Sequence, residues 1–183
     1  MNHNPKGKWF SMAVTAAVWE EYSASTTTAT SYLNFLSVDE ASGGDTTSQP
    51  NAHPIAIPAS TTVYSYERWF WLLFAGNTNA ITSIYVWKSA GTLNTGYVIN
   101  AAVKSATPTV YVQSVNTSSS YATGAIPTSQ GAGLTPTYNA SGTKSDLIVS
   151  QLAVASTASA GPMVGTVGSP GTWTMSYQYA TTG

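Results

Sequence analysis

The clearest signal in the chain is a strict alternation near its C-terminal end. Trp173, Met175, Tyr177 and Tyr179 are apolar, and Thr172, Thr174, Ser176 and Gln178 between them are polar. A period of two marks a strand with one buried face, and Ser169-Pro170-Gly171 punctuates its start. Tyr97, Ile99, Ala101 and Val103 alternate with Asn100 and Lys104 in the same way. Val110 and Val112 lie inside a third such run, Thr109 to Val115.

Three segments are apolar on both parities. In Tyr64 to Phe74, the even positions carry Tyr64, Tyr66, Phe70, Leu72 and Phe74, and the odd ones Val63, Trp69, Trp71 and Leu73; Ile81 to Trp87 and Leu147 to Val154 behave alike. Such strands must be covered on both faces. For any one of them the first expectation is a cover from within the chain. With three in a chain this short, a cover from another chain enters for at least one. Trp9 to Tyr22 divides between helix (Ala, Glu) and strand (Met12, Val14, Val18), and strand is the expectation. Tyr32 to Val38 is a shorter strand candidate.

These runs are joined by long stretches of Ser, Thr, Gly, Pro and Asn: Ser23 to Ser31, Ala41 to Pro54, Asn116 to Ala122, Thr128 to Ser145 and Ser156 to Gly171. Such residues extend and hydrogen-bond but do not build a core. Gly76-Asn77, Gly91 and Gly96 mark turns. The pattern predicts one all-β domain, a jelly-roll-like antiparallel β-sandwich of about eight strands. Residues 1–8 form an extended polar N-terminal arm and 9–183 the sandwich. No fixed-period repeat or heptad occurs.

Composition narrows the function. Of 183 residues, six are Lys or Arg, seven are Asp or Glu, two are His and none is Cys, so 7% are charged. About 25% is usual. Acid–base catalysis, metal binding and phosphate capture all draw on ionisable groups. Disulfides and thiolate metal sites are excluded outright. Lys6, Lys8, Arg68, Lys88, Lys104 and Lys144 are scattered, without the clustered cations that nucleic-acid binding needs. The longest apolar run, Trp69 to Ala75, is far short of the roughly 20 residues of a membrane helix. No signal peptide is legible, so synthesis in a cytoplasm is the expectation. The net charge of −1 leaves little repulsion between copies.

The candidate chemistry is sparse. His53 lies between Pro50 and Pro54 and His3 in the N-terminal arm, neither with a Gly-x-Ser-x-Gly elbow in the chain. Both read as loop histidines. Asp39, Glu40 and Asp45 surround Ser42-Gly43-Gly44, a cluster of hard oxygen ligands with neither the spacing nor the final bidentate Glu of a calcium loop. A solvated turn is the expectation, with Ca²⁺ the alternative. Glu67 and Arg68 are adjacent in the most apolar strand, so they point to opposite faces and must each find a partner elsewhere, in this chain or a neighbouring one. A glycosidase pair would have to come from Glu20, Glu21, Asp39, Glu40, Asp45, Glu67 and Asp146. Six Trp and eleven Tyr would suit a sugar platform, but most sit at core parity, where packing explains them. No catalytic, cofactor or metal residues are assigned, and no cofactor is expected.

The stretches Tyr-Glu-Arg-Trp-Phe-Trp-Leu-Leu-Phe-Ala-Gly (66–76), Ile-Thr-Ser-Ile-Tyr-Val-Trp-Lys-Ser-Ala-Gly (81–91), Ser-Asp-Leu-Ile-Val-Ser-Gln-Leu-Ala-Val-Ala-Ser-Thr (145–157) and Thr-Trp-Thr-Met-Ser-Tyr-Gln-Tyr (172–179) resemble the small all-β virion proteins of tailed bacteriophages. The chain most resembles those that decorate or cement the head shell, and similar chains occur at the neck and tail. The likeness spans residues 64–179 in style, without a diagnostic motif. It implies a structural protein of the virion exterior, not an enzyme. Its implied partners are the major capsid protein and further copies of itself, as a homotrimer or another homo-oligomer, with no nucleic acid and no membrane. The alternatives are a neck, tail or head-fibre component and, from a different class, a carbohydrate-binding or adhesion module. A depolymerase ranks last.

Overall fold

A computed structural model describes residues 14–23, 26–43, 51–76, 80–104, 114–140, 143–159 and 173–182. Its strands are β1 (Thr15–Tyr22), β2 (Thr26–Ala29), β3 (Val63–Tyr64), β4 (Arg68–Ala75), β5 (Ala80–Ala90), β6 (Tyr97–Lys104), β7 (Gly124–Ala125), β8 (Tyr138–Asn139), β9 (Lys144–Ser145), β10 (Leu147–Val154) and β11 (Thr174–Thr182). One 3₁₀ turn, Gln130–Ala132, interrupts them. Among the described residues no helix is long and apolar enough to cross a membrane.

All pairings are antiparallel. The larger sheet runs β2-β1-β4-β10-β6-β7, with β3 added along β10 and the β8–β9 pair attached to β4. The smaller sheet is β5 with β11. The two pack face to face as a β-sandwich. The all-β antiparallel sandwich expected from the sequence is what the chain forms, with strands shared unevenly between the sheets.

Of the three runs apolar on both parities, two, β4 and β10, take the central places of the larger sheet. The third, Ile81 to Trp87, lies in β5 of the smaller sheet, where Ile81, Ile84 and Val86 are buried and Tyr85 and Trp87 are only half-buried. The even positions of β4 and β10, Phe70, Leu72, Phe74 and Ile148, meet Ile81, Ile84 and Val86 of β5, with Met175 and Tyr179 of β11 alongside. Full burial of side chains such as Leu72 and Ile148 stabilises the sandwich by roughly 1.5–3 kcal/mol each. The interior continues through Ile99, Leu152, Val154 and Phe35, on whose ring Trp173 stacks at 5.7 Å. The odd positions, Trp69, Trp71, Leu147 and Val149, face the other way and pack with Trp19, Leu73, Tyr121 and Ala122. That face of β4 and β10 is therefore covered by residues of the same chain.

Several boundaries depart from the sequence reading. Tyr32 to Val38 is not a strand. It is irregular chain that buries Phe35 and Leu36 and bonds at single points, Tyr66 N–H to the Leu36 carbonyl (3.0 Å) and Ser37 N–H to the His53 carbonyl (3.1 Å). Burial there is achieved by side chains without a ladder. The run Tyr64 to Phe74 is split, because residues 65–67 leave β3 and turn toward other partners before β4 begins. Ser23 to Ser31 contains β2, and Thr128 to Ser145 contains the 3₁₀ turn and the β8–β9 pair. Of Trp9 to Tyr22, residues 15–22 are strand as expected, and 9–13 lie outside the described residues. Of Thr109 to Val115, only Ser114 and Val115 are described, neither in a strand. The arm at 1–8 also lies outside the described residues.

Candidate functional site

Three charged groups on β1, on β4 and just before β4 are placed inside. Glu20, Glu67 and Arg68 are 1%, 2% and 2% exposed. Ionised groups this deep require hydrogen bonds or counter-charges, and two polar clusters on opposite faces of the larger sheet supply them.

On the face toward the smaller sheet, Glu20 of β1 lies opposite Phe70 in register. Its carboxylate accepts Ser42 N–H (2.8 Å) and the Ser42 hydroxyl (2.6 Å). Ser42 is held in turn by Asn34, whose backbone N–H donates to its Oγ (3.2 Å) and whose Nδ2 donates to its carbonyl (2.7 Å). Arg68 enters from β4 and donates to the Glu40 carbonyl. Burial raises the Glu20 carboxyl above its ordinary range; the Ser42 side chain and backbone, and then the Arg68 charge, pull it part of the way back. The cluster fastens the 34–43 segment onto the sheet.

On the opposite face Glu67 organises a second cluster. Its carboxylate accepts the Trp69 indole N–H (2.9 Å) and the Ser119 hydroxyl. Ser119 Oγ also accepts Tyr121 N–H (3.0 Å) and Ala122 N–H (2.8 Å). Gln151 of β10 accepts Ser119 N–H (2.9 Å), and its amide donates to the carbonyls of Ser65 (3.0 Å), Val115 (3.2 Å) and Thr117 (2.7 Å). The Asn116 to Ala122 stretch, read from composition as unable to contribute to a core, is thereby pinned against Trp69. Tyr121 meets that indole edge-on at 5.2 Å. Glu67 and Arg68 do point to opposite faces, and both find partners within the chain.

The remaining candidates are dispersed. His53 Nε2 is 3.5 Å from Glu40 Oε2, both partly exposed. Asp39 Oδ2 accepts Ser23 N–H (3.1 Å), Asp146 Oδ2 accepts Thr137 N–H (3.0 Å), and Asp45 and His3 lie outside the described residues. Among the described residues no three His, Cys, Asp or Glu side chains gather as a metal site. Of the glycosidase candidates, Glu20 and Glu67 are separated by the sheet itself. The aromatic residues of β4 are packed away, Trp69 fully and Trp71 to 6% exposure. Lys144 Nζ sits 4.9 Å from the Trp71 ring centre, and Lys104 Nζ 5.0 Å from that of Tyr121 and 5.8 Å from that of Trp69. Lys88 turns its ammonium onto the carbonyls of Ala90 and Gly91.

No family model matches this chain, and no curated protein or solved structure matches it either. The site must be read from its own geometry. Ser42, Asn34, Ser119 and Gln151 were not singled out by sequence reasoning. Gln151 carries a legible signal, a polar side chain within an otherwise apolar strand. Ser42 and Ser119 carry none, being two serines among many. What the two clusters do chemically is hold loops. They take up two carboxylates and a guanidinium that would otherwise mark the surface.

Proposed function

We propose that this chain is a structural protein of a tailed-bacteriophage virion, a capsid decoration protein that binds the outer head shell and stabilises it. The observation that carries the reading is the placement of charge. In a chain with 13 charged residues, Glu20, Glu67 and Arg68 are buried and Lys104 and Lys144 lie over aromatic rings. A surface so poor in free charge gives little repulsion between neighbours and suits close contact with other subunits. The resemblance of residues 64–179 to such proteins points the same way.

On this reading the protein is made in the host cytoplasm and ends on the capsid exterior. Its partners are the major capsid protein and further copies of itself, in a homotrimer or another homo-oligomer. It performs no catalysis and needs no cofactor. Repetition over a symmetric shell multiplies modest contacts, because each further contact is made at high effective concentration. Hydroxyl-rich loops supply backbone hydrogen bonds and shape fitting there.

The test is addition of the purified protein to expanded heads that lack it. Saturable binding at hundreds of copies per head, with raised resistance to heat or pressure, is the expected result. A few to a few dozen copies would move the protein to the neck, tail or a head fibre. Absence from the particle would overturn the reading, as would glycan binding lost on replacing an exposed tyrosine such as Tyr32.

A further inference from the structure

The edges of the two sheets are treated unequally. The outer side of β5 is occupied by the 126–134 segment: Val86 and Leu134 exchange both backbone hydrogen bonds (2.9 and 2.8 Å), and Lys88 N–H donates to the Pro127 carbonyl (2.8 Å). The outer side of β6 is met by β7 and by Ile126 N–H, which donates to the Ile99 carbonyl (2.9 Å). On β1, the stretch that β2 does not reach is closed by the hydroxyls of Tyr177 and Tyr179. β2 itself is only four residues long. β11 is different. It pairs with β5 on one side, and among the described residues nothing pairs with the other.

β11 also lacks the usual devices that blunt an exposed edge, which are charged side chains, proline and bulges. Its nine residues, Thr-Met-Ser-Tyr-Gln-Tyr-Ala-Thr-Thr, include no charge and no proline. Its pairing with β5 has two register breaks, and both place the extra residue on β5. Thr174 and Met175 are adjacent, whereas their partners Ala90 and Lys88 skip Ser89. Gln178 and Ala180 are two apart, whereas their partners Tyr85 and Thr82 are three apart, around Ser83 with its φ of 51°. β11 is thus a regular strand with a row of backbone donors and acceptors along the side that no described residue pairs. Tyr177 and Tyr179 reach down from it to the outer margin of β1.

We propose that this edge receives a second copy of the chain, whose own β11 adds antiparallel about a two-fold axis. The result is a continuous β5–β11–β11–β5 sheet across two subunits. A second copy is the fitting occupant for two reasons. An antiparallel edge is its own hydrogen-bonding complement under a two-fold axis. And with no charged side chain on β11 and a net charge of −1, neither local nor overall repulsion opposes the pairing. An axis at Gln178 sets Tyr177 of one copy opposite Tyr179 of the other. The pairing deepens the self-association part of the proposed function and rests on it. Solution mass tests the pairing and head binding tests the function, so either can fail without the other.

The experiment uses the full chain. Sedimentation across a range reaching on the order of 100 µM should show a monomer–dimer equilibrium, weakened about tenfold or more by Gln178→Lys with Ala180→Lys. Circular dichroism checks that this variant keeps its β spectrum. Since the chain has no cysteine, Gln178→Cys treated with a short bismaleimide should give a covalent dimer, and Thr27→Cys on the β2 edge should not. If the lysine pair fails to fold, the cross-linking comparison decides. A wild-type chain monomeric throughout, an association indifferent to folded lysine variants, or cross-linking equal at the two cysteine positions would each overturn the pairing.

Discussion

The hydroxyl of Tyr179 donates a 2.9 Å hydrogen bond to the carbonyl of Val14, 165 residues earlier in the chain. Tyr177 does the same to Ala16 at 3.0 Å. Carbonyls of like parity point to the same side of a strand. Val18, the next of that parity, accepts Thr30 N–H at the end of β2 (3.0 Å). The two tyrosines therefore continue along β1 the row of acceptors that β2 begins to fill. They also tie the smaller sheet to the larger, since Tyr179 meets Phe74 edge-on at 5.1 Å.

Removing either hydroxyl while keeping the ring isolates this tie. Tyr179→Phe and Tyr177→Phe are each expected to lower unfolding free energy by about 0.5–1.5 kcal/mol, the usual net value of one such bond. Urea titration measures the loss, and hydrogen exchange at the amides of β1 should quicken in step.

The Glu67 cluster is expected to be costlier to break. Glu67→Ala takes the acceptor from the Trp69 indole and the Ser119 hydroxyl inside a closed face. The expected loss is about 2–4 kcal/mol, and Glu67→Gln, which keeps one carbonyl acceptor, should lose less. The two variants, compared by denaturation followed through tryptophan fluorescence, check the order.

Glu20 sets a pH dependence of definite sign. Burial raises its folded carboxyl above the ordinary value of 4.5, so the folded state holds a proton that the unfolded chain has already released. As pH falls from neutral through the folded value, the Glu20 contribution to stability therefore grows, and it is complete below 4.5. As pH rises through the folded value the contribution is lost. Glu20→Gln removes a titrating group, and the difference in stability between the two proteins, measured by urea melts from pH 7 to pH 4.5, should follow this course.

Gly96 is required by both its backbone and its neighbour. Its φ is +83°, and a Cβ there would lie 2.5 Å from the Ala158 backbone. That backbone is fixed by Ala158 N–H donating to the Ala155 carbonyl (3.0 Å), while Ala155 N–H donates to the Gly96 carbonyl (2.8 Å). Gly96→Ala is expected to cost more than about 1 kcal/mol in thermal or urea unfolding.

Much of the fold was legible one strand at a time. The alternation around Trp173 to Tyr179 and the doubly apolar run Leu147 to Val154 correspond to β11 and β10, because periodicity reports directly on how many faces a strand buries. Tyr32 to Val38 misled for the same reason. Phe35 and Leu36 are buried as their pattern requires, yet burial needs no ladder. The polar clusters were hidden further, since Ser42 and Ser119 look like any loop serine until Glu20 and Glu67 are placed beside them.

The linear order of residues settled the all-β class, the double cover of β4 and β10 and the opposed directions of Glu67 and Arg68. These follow from backbone geometry over neighbouring positions. Tertiary structure alone decided that loop 114–122 closes the outer face, that buried carboxylates are held by Ser42 and Ser119, and that two C-terminal tyrosines guard the first strand. Those contacts join residues far apart in sequence, and their energies exist only once the sheets have met.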